Sequence, residues 1–147
     1  MSQQKELKQI DELTSVLYRS ICFKIGTQPP VENLINLFIP TANMIRNDGE
    51  APETMTVNDF IVSYKDRIND GTINSFYEGE LNHITEIFGK IAHRFSTYET
   101  KFDLLKDEPF AIGINSIQYI KIGKDWKISS IVWNNQTEKC VVPDKYL

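Results

Sequence analysis

The first third of the chain repeats apolar residues at the three- and four-residue steps of an amphipathic helix. The stripe consists of Leu7, Ile10, Leu13, Leu17, Ile21 and Ile25. It predicts a long first helix that ends at Gly26, a residue type common just after helix ends. A second helix is predicted to begin at Pro29 and Pro30, because proline is tolerated in a first turn, and to stop at Pro40. Its buried side is Val31, Leu34, Ile35 and Phe38.

A third helix is predicted to begin near Thr56. Thr56 and Asp59 have the spacing of a capping box, and the apolar side of the helix follows them at helical spacing. That side consists of Val57, Phe60, Ile61, Tyr64 and Ile68. The helix is predicted to end at the Asn-Asp-Gly of residues 69–71. Between the second and third helices we expect a short apolar piece, Met44–Ile45, and then a loop.

From Ile73 onward the period of the pattern falls to two, which is typical of strands. Segments 75–88 and 90–102 are separated by Gly89, and segments 110–122 and 126–133 by residues 123–125, so two hairpins are predicted. The tail contains Pro143 and suits a sheet edge. Three helices followed by long antiparallel strands predict a single α+β domain over residues 1–147.

Composition narrows the class of protein. The 147 residues are 41% hydrophobic and 24% charged, as in an ordinary globular domain. With 16 basic and 20 acidic residues mixed along the chain, there is no basic stripe, so nucleic-acid binding is not expected. No apolar run is long enough to cross a membrane, and the N-terminal segment lacks the apolar core of a secretory signal. We therefore expect a cytoplasmic protein.

Several segments resemble a known superfamily. They are LYRSICFKIG (17–26), VENLINLF (31–38), FGKIAHRFSTYET (88–100), GINSIQYIKIGKDWKISSIVW (113–133) and VPDKYL (142–147). The chain resembles the nuclear transport factor 2-like superfamily, which includes SnoaL-type cyclases, ketosteroid isomerases and small bacterial proteins of unassigned function. The resemblance implies a strongly curved antiparallel sheet wrapped around the helices as a cone with an internal pocket. It also implies a homodimer through the convex face of the sheet.

The resemblance to the isomerase branch implies three positions for chemistry. Tyr18 matches the tyrosine that donates a hydrogen bond to the substrate. The segment expected to supply the base holds Arg46 and Asp48, and Gln118 stands where a protonated acid would complete the oxyanion hole. Arginine stays protonated and cannot act as a base, so Arg46 is a candidate to bind a carboxylate or phosphate. Tyr18 and Asp48 remain as candidate catalytic residues.

Strand alternation extends the candidate pocket around these positions. The candidate ligand-binding residues are Tyr18, Arg46, Arg94, Ser96, Tyr98, Ser116, Gln118, Ile131, Trp133 and Asn135. Tyr18 and Trp133 fit core packing as well as a pocket wall. A slip of one residue in strand phase exchanges the two faces, and Tyr98 would then point to the dimer face.

The remaining titratable residues give no site by spacing. Glu78, Glu80 and Glu86 fit a solvated strand surface, and His93 is expected on the convex face. His83 and His93 lack the spacing of metal ligands, so neither a metal nor a cofactor is expected. Three functions remain open: a domain that binds an unidentified small molecule, an isomerase, cyclase or dehydratase with a non-standard acid–base set, and a structural dimerisation domain. The scaffold alone does not choose among them.

Overall fold

The computed structural model describes residues 2–103, 105–106 and 108–147. The helices are α1 (Gln3–Arg19), α2 (Leu34–Leu37, preceded by a 3-10 turn at Val31–Asn33) and α3 (Val57–Asn69). The strands are β1 (Phe38–Arg46), β2 (Glu53–Thr56), β3 (Tyr77–Phe88), β4 (Ile91–Lys101), β5 (Ala111–Ile122) and β6 (Asp125–Asn135). In the described part of the chain, no helix combines the length and the apolar character needed to span a bilayer.

The six strands form one open sheet in the order β2-β1-β6-β5-β4-β3. The predicted α+β class, with three helices packed on a sheet, is confirmed. One detail of the sheet differs from the prediction: β1 runs parallel to β6, whereas all other neighbours are antiparallel, so the sheet is mixed. Register shifts in the β1–β6, β3–β4 and β5–β6 pairs mark irregularities that bend strands.

The first helix is shorter than its apolar stripe predicts. It ends at Arg19, and the Ser20 hydroxyl donates back to the carbonyl oxygen of Val16 at 2.7 Å. Phe23 then forms an isolated antiparallel β-bridge with Phe76, which lies in the segment that leads into β3. Because this bridge holds the chain in an extended form, residues 21–25 continue the helical spacing without forming helix.

The second predicted helix is also cut short. Only residues 31–37 are helical, and Phe38 already begins β1. Pro40 lies inside β1, in the stretch between Phe38 and Asn43 where the register with β6 shifts. A proline fits there because its missing N–H is not needed in the ladder. The predicted short apolar piece, Met44–Ile45, is part of β1, and the segment predicted as a loop after it also contains β2, which pairs beside β1.

The third helix and the two hairpins follow the predictions. The Thr56 hydroxyl accepts from the Asp59 amide at 3.0 Å, and the Asp59 carboxylate accepts from the Thr56 amide at 3.3 Å. This is the predicted capping box. Gly89 and Gly123 occupy the two hairpin turns with φ of 57° and 62°, a conformation that glycine adopts without strain.

The core lies between the concave face of the sheet and α1. Ile10 of α1, Ile117 of β5 and Ile128 of β6 are fully buried there. At the N-terminal end of α1, Glu6 accepts hydrogen bonds from the Lys121 ammonium at 2.6 Å and the Trp126 indole at 2.5 Å. These contacts attach α1 to the β5–β6 hairpin and leave the other end of the concave face open for a cavity.

Candidate functional site

A cavity of about 300 Å³ lies between the concave face of the sheet and the helices. Its wall is mainly aromatic and aliphatic, with a few polar groups among the apolar side chains. The apolar lining includes Leu17, Ile21, Leu34, Met44, Phe60, Tyr64, Ile73, Phe76, Phe102, Phe110, Ile131 and Trp133. A cavity of this size and lining is at the lower end of the range for small-molecule sites.

Most of the predicted pocket residues line this cavity. Those that do are Tyr18, Arg46, Tyr98, Ile131, Trp133 and Asn135, together with the catalytic candidate Asp48. They come from α1, β1, β4 and β6, and from the loop after β1. On β4 and β6 the predicted strand phase therefore matches the structure.

On β5 the predicted phase is off by one residue. Ser116 pairs with Phe95 and Val132, and Gln118 pairs with His93, all on the convex face. Ser116 and Gln118 therefore lie outside the cavity, and Asn115 takes the inward position. The reason is that β5 is apolar on both faces, so alternation alone does not fix which face is buried.

Arg94 and Ser96 face inward but lie behind the cavity wall. Arg94 is 1% exposed and forms ion pairs with Asp11 and with Glu80, the latter at 3.3 Å. Its Nε atom also donates to the Thr85 hydroxyl at 2.7 Å. Ser96 is fully buried. Both residues support the site and do not line the main cavity.

A second, polar cavity of about 370 Å³ lies on the other side of these groups, between α1 and β3. It is lined by Asp11, Ser15, Tyr18, Arg19, Tyr77, Glu78, Gly79, Glu80, His83 and Arg94. Tyr18 and Glu78 line both cavities and so form part of the wall between them. The interpretation of Glu78 and Glu80 as surface acids is therefore wrong, since the concave face of β3 turns both toward α1.

A directed chain of hydrogen bonds runs through that wall. The Ser96 hydroxyl donates to the Glu80 carboxylate at 2.5 Å. Because its only proton is used there, Ser96 accepts from the Tyr18 hydroxyl, also at 2.5 Å. The Tyr18 oxygen in turn accepts from Asn115 Nδ2 at 3.0 Å. Burial raises the pKa of Tyr18 well above its ordinary value, so the hydroxyl keeps its proton and points it away from the cavity.

Glu78 is a carboxyl on the cavity wall, and its pKa is raised toward neutrality. Burial raises its pKa from 4.5 to about 7, partly offset by the hydrogen bond that it accepts from Asn115 Nδ2 at 3.3 Å. Its partner across the sheet is Thr100 of β4. The sequence shows an acid at this position, but its burial depends on side chains from α1, β4 and β5 that local alternation does not reveal.

A second chain of hydrogen bonds lies toward the other end of the cavity. The Tyr98 hydroxyl donates to Asn135 Oδ1 at 2.5 Å, and Asn135 Nδ2 donates to the exposed Asp48 at 3.2 Å. Tyr98 crosses β5 at Gly113, where an added Cβ would lie 2.4 Å from its hydroxyl oxygen. Gly113 is thus required for this position of Tyr98.

Arg46 is held beside the aromatic wall. Its guanidinium carbon lies 6.0 Å from the ring centroid of Trp133, and one of its nitrogens lies 3.8 Å from the Glu53 carboxylate. The first distance is at the limit of a cation–π contact. In the described residues, His, Cys, Asp and Glu side chains form no group of three or more that could hold a metal ion.

Comparisons with known proteins identify the fold. No protein-family model matches the chain, and no curated protein sequence matches it. Among solved structures, a cystatin-like protein of unknown function from Nostoc punctiforme has a TM-score of 0.72 at 13% identity, over 94% of this chain and 96% of that one. A protein of unknown function from Pseudomonas putida, described as nuclear transport factor 2-like, has a TM-score of 0.71 at 10% identity, over 98% and 97%.

The chain has the nuclear transport factor 2-like fold. A candidate scytalone dehydratase from Novosphingobium aromaticivorans shares it with a TM-score of 0.65 at 14% identity, over 91% of this chain and 86% of that one. Identities this low support the fold and carry no residue's role across. The role of each cavity residue therefore has to be argued from its own contacts.

Proposed function

We propose that the protein binds a small, mainly apolar molecule in the cavity between the concave sheet face and the helices. The observation that supports this most is the cavity of about 300 Å³ with an aromatic and aliphatic wall. Burying apolar ligand surface against such a wall contributes about 25 cal/mol per Å². A purely structural domain does not need an open space of this size, because protein interiors are normally close-packed.

A cavity-filling substitution tests the proposal. Ala111 lines the cavity at the start of β5, and Ser116 lies on the opposite face of the same strand. We expect Ala111→Phe to abolish the binding of compact aromatic probes and Ser116→Ala to leave that binding unchanged. The measurement is the NMR chemical shift of the Trp133 indole as each probe is added. A folded Ala111→Phe protein that binds the probes as tightly as the unaltered protein would refute the proposal.

A second candidate function is an acid–base enzyme with Glu78 as the proton-transfer residue. It is favoured by one observation, a carboxyl on the wall of an apolar cavity with a pKa of about 7, where a general base works well. The likeness in fold to a candidate scytalone dehydratase is compatible with elimination of water. In this version Glu78 would take a proton from a carbon next to a carbonyl group and give it to the hydroxyl group on the neighbouring carbon, whose C–O bond breaks as water leaves.

The directions of the hydrogen bonds on the cavity wall favour ligand binding over this enzymatic function. An enolate that forms beside Glu78 needs donors for its oxygen, but the Tyr18 and Tyr98 protons are already donated to Ser96 and Asn135. The test is solvent deuterium exchange into indanone, followed by NMR. Enzymatic action requires exchange that is faster than in buffer and is lost in Glu78→Gln, so equal rates in both proteins rule it out.

We also propose that the convex face forms a homodimer. On that face paired strands place Ile84 beside Phe95 and Ile45 beside Val132, with Ser116 between the two pairs. Tyr146 packs against Phe95 at a ring-centroid distance of 5.5 Å. Ile84 is 44% exposed and Phe95 41% exposed. Exposed apolar side chains that adjoin on a sheet face are typical of an interaction surface. Cys22 and Cys140 are free thiols, which suits the reducing cytoplasm that we propose as the location.

A further inference from the structure

The polar groups around Glu78 on the cavity wall mostly accept hydrogen bonds and have few protons left to give. Arg46 and Arg67 also line the cavity, but neither forms an ion pair with Glu78. Three tyrosine hydroxyls line the cavity, and each donates its proton to another protein group. Tyr18 donates to Ser96, Tyr64 donates to the carbonyl oxygen of Ile21 at 2.5 Å, and Tyr98 donates to Asn135. Each hydroxyl oxygen keeps acceptor capacity toward the cavity.

The amide group on the wall is used in the same way. Asn115 Nδ2 has two hydrogens, and it donates to both Tyr18 and Glu78. Glu78 is a carboxyl, and its ionised form accepts hydrogen bonds and donates none. No ion pair among the described residues includes Glu78. The deep wall thus presents an acid without a basic partner, next to hydroxyl oxygens whose protons point elsewhere.

We propose that the ligand is an amphipathic amine whose ammonium group binds Glu78 while its apolar body contacts the aromatic wall. This inference rests on the proposed binding function and names its ligand class. An ammonium group has three protons and no acceptor, so it complements a wall of acceptors. It also supplies the positive charge that a carboxylate in an apolar site lacks. A carboxylate ligand would meet Glu78 with like charge, and its charged donors would have to be Arg46 and Arg67, which form no ion pair with Glu78.

We assign the change of charge near neutrality to Glu78. It shares the lining of the main cavity with Arg46 and Arg67, and that of the second cavity with Glu80 and His83, which lie 4.0 Å apart. Tyr18 faces Glu78 from α1, Cys22 from the loop after α1, Tyr64 from α3 and Tyr98 from β4. Burial raises the pKa of all four, so they stay neutral at neutral pH. Bound ammonium would favour the ionised form of Glu78, and amine binding would therefore release a proton between about pH 6 and pH 8.

Three probes of similar size test the ligand class by isothermal titration calorimetry. Phenethylamine carries the ammonium, phenethyl alcohol carries a neutral donor, and hydrocinnamate carries a carboxylate. At about pH 8 we expect phenethylamine to bind about tenfold more tightly than the alcohol, and hydrocinnamate to bind least. Phenethylamine should lose about tenfold in affinity between about pH 8 and pH 6, since Glu78 is mostly protonated at the lower pH.

Two variants assign the effect to Glu78. Glu78→Gln should remove the advantage of phenethylamine over the alcohol, and Glu50→Gln, in the exposed loop after β1, should keep it. Equal affinity for all three probes, or an unchanged advantage in Glu78→Gln, overturns the amine but leaves the binding function. No binding by any probe contradicts both. If Glu78→Gln does not fold, the pH dependence in the unaltered protein decides the question.

Discussion

Asn115 Nδ2 lies 3.3 Å from Glu78 Oε2 and holds that carboxyl on the wall of the main cavity. The same nitrogen donates to Tyr18 at 3.0 Å, so one amide fixes the positions of both groups. Because Asn115 lies on β5 and Glu78 on β3, with β4 between them, this contact spans three strands. The site therefore depends on Asn115, rather than its neighbours on β5, facing the cavity.

Stability should depend on pH through Glu78. Its pKa is raised from 4.5 to about 7 on folding, so between these values the folded state binds more protons than the unfolded state and stability falls as pH rises. Above about pH 7 Glu78 is ionised in both the folded and the unfolded state. The buried carboxylate then lowers the free energy of unfolding by its full amount, about 3 kcal/mol. Glu78→Gln should therefore raise the free energy of unfolding in urea at about pH 8, with little effect at about pH 4.

The control for this prediction is Glu50→Gln, in the exposed loop after β1. It should change the free energy of unfolding by no more than about 0.5 kcal/mol at either pH. A Glu78→Gln protein that is less stable than the unaltered protein at about pH 8 would show that the carboxylate is favourably held, contrary to the raised pKa.

Gly113→Ala should displace Tyr98 from the cavity wall. The added Cβ would lie 2.4 Å from the Tyr98 hydroxyl oxygen and 2.5 Å from the carbonyl oxygen of Asn134, and the second of these is backbone that yields little. We expect a loss of about 1–3 kcal/mol in unfolding free energy and a shifted Tyr98 ring in a crystal structure. Gly49→Ala is the matched control because nothing lies within 4 Å of its added Cβ. Equal stability of the two variants would contradict the close approach.

Arg94→Ala should destabilise the protein by about 3 kcal/mol, because it leaves Glu80 without its buried partner. Arg94 is 1% exposed and contacts Asp11, Glu80 and Thr85. The control is Arg19→Ala, an exposed residue whose bond to Ser15 is 3.1 Å long and whose loss should cost less than about 0.5 kcal/mol. Chemical denaturation measures both, and similar losses would mean that the Arg94 ion pairs do not hold α1 to the sheet.

The dimer proposal predicts a change of oligomeric state from a single charge. Ile84→Glu, on the convex face, should convert a dimer to a monomer in light scattering after size-exclusion chromatography, because burying an unpaired charge is costly. Val62→Glu is the control: Val62 is 51% exposed on α3, away from that face. A monomeric unaltered protein, or an equal effect of both substitutions, would refute the proposed interface.

Local signals predicted the parts of the fold that depend on few residues. The capping box at Thr56 and Asp59 and the turn glycines Gly89 and Gly123 act within a few positions of themselves, and all are confirmed. The predicted length of α1 was wrong because the helix is ended by the bridge between Phe23 and Phe76, two residues far apart in the chain. The apolar spacing of the residues after Arg19 does not reveal this bridge.

The candidate site was predictable on β4 and β6 but not on β5 or β3. Tyr98 and Trp133 stand out because aromatic residues alternate there with polar ones. On β5, Ile114 and Ile117 lie on opposite faces, so hydrophobicity does not distinguish them and the likeness of Gln118 to a family acid selected the wrong phase. Glu78 resembles any strand acid until the fold packs Tyr18 and Asn115 against it.

The most direct test of the central claim is a crystal structure of the protein grown with phenethylamine. We predict electron density for the amine in the cavity beside Trp133 and Tyr64, with its nitrogen within hydrogen-bond distance of the Glu78 carboxylate. Density for the amine only outside the cavity, or a cavity closed by the protein's own side chains, would contradict the claim that this space is a ligand site with Glu78 as its polar centre.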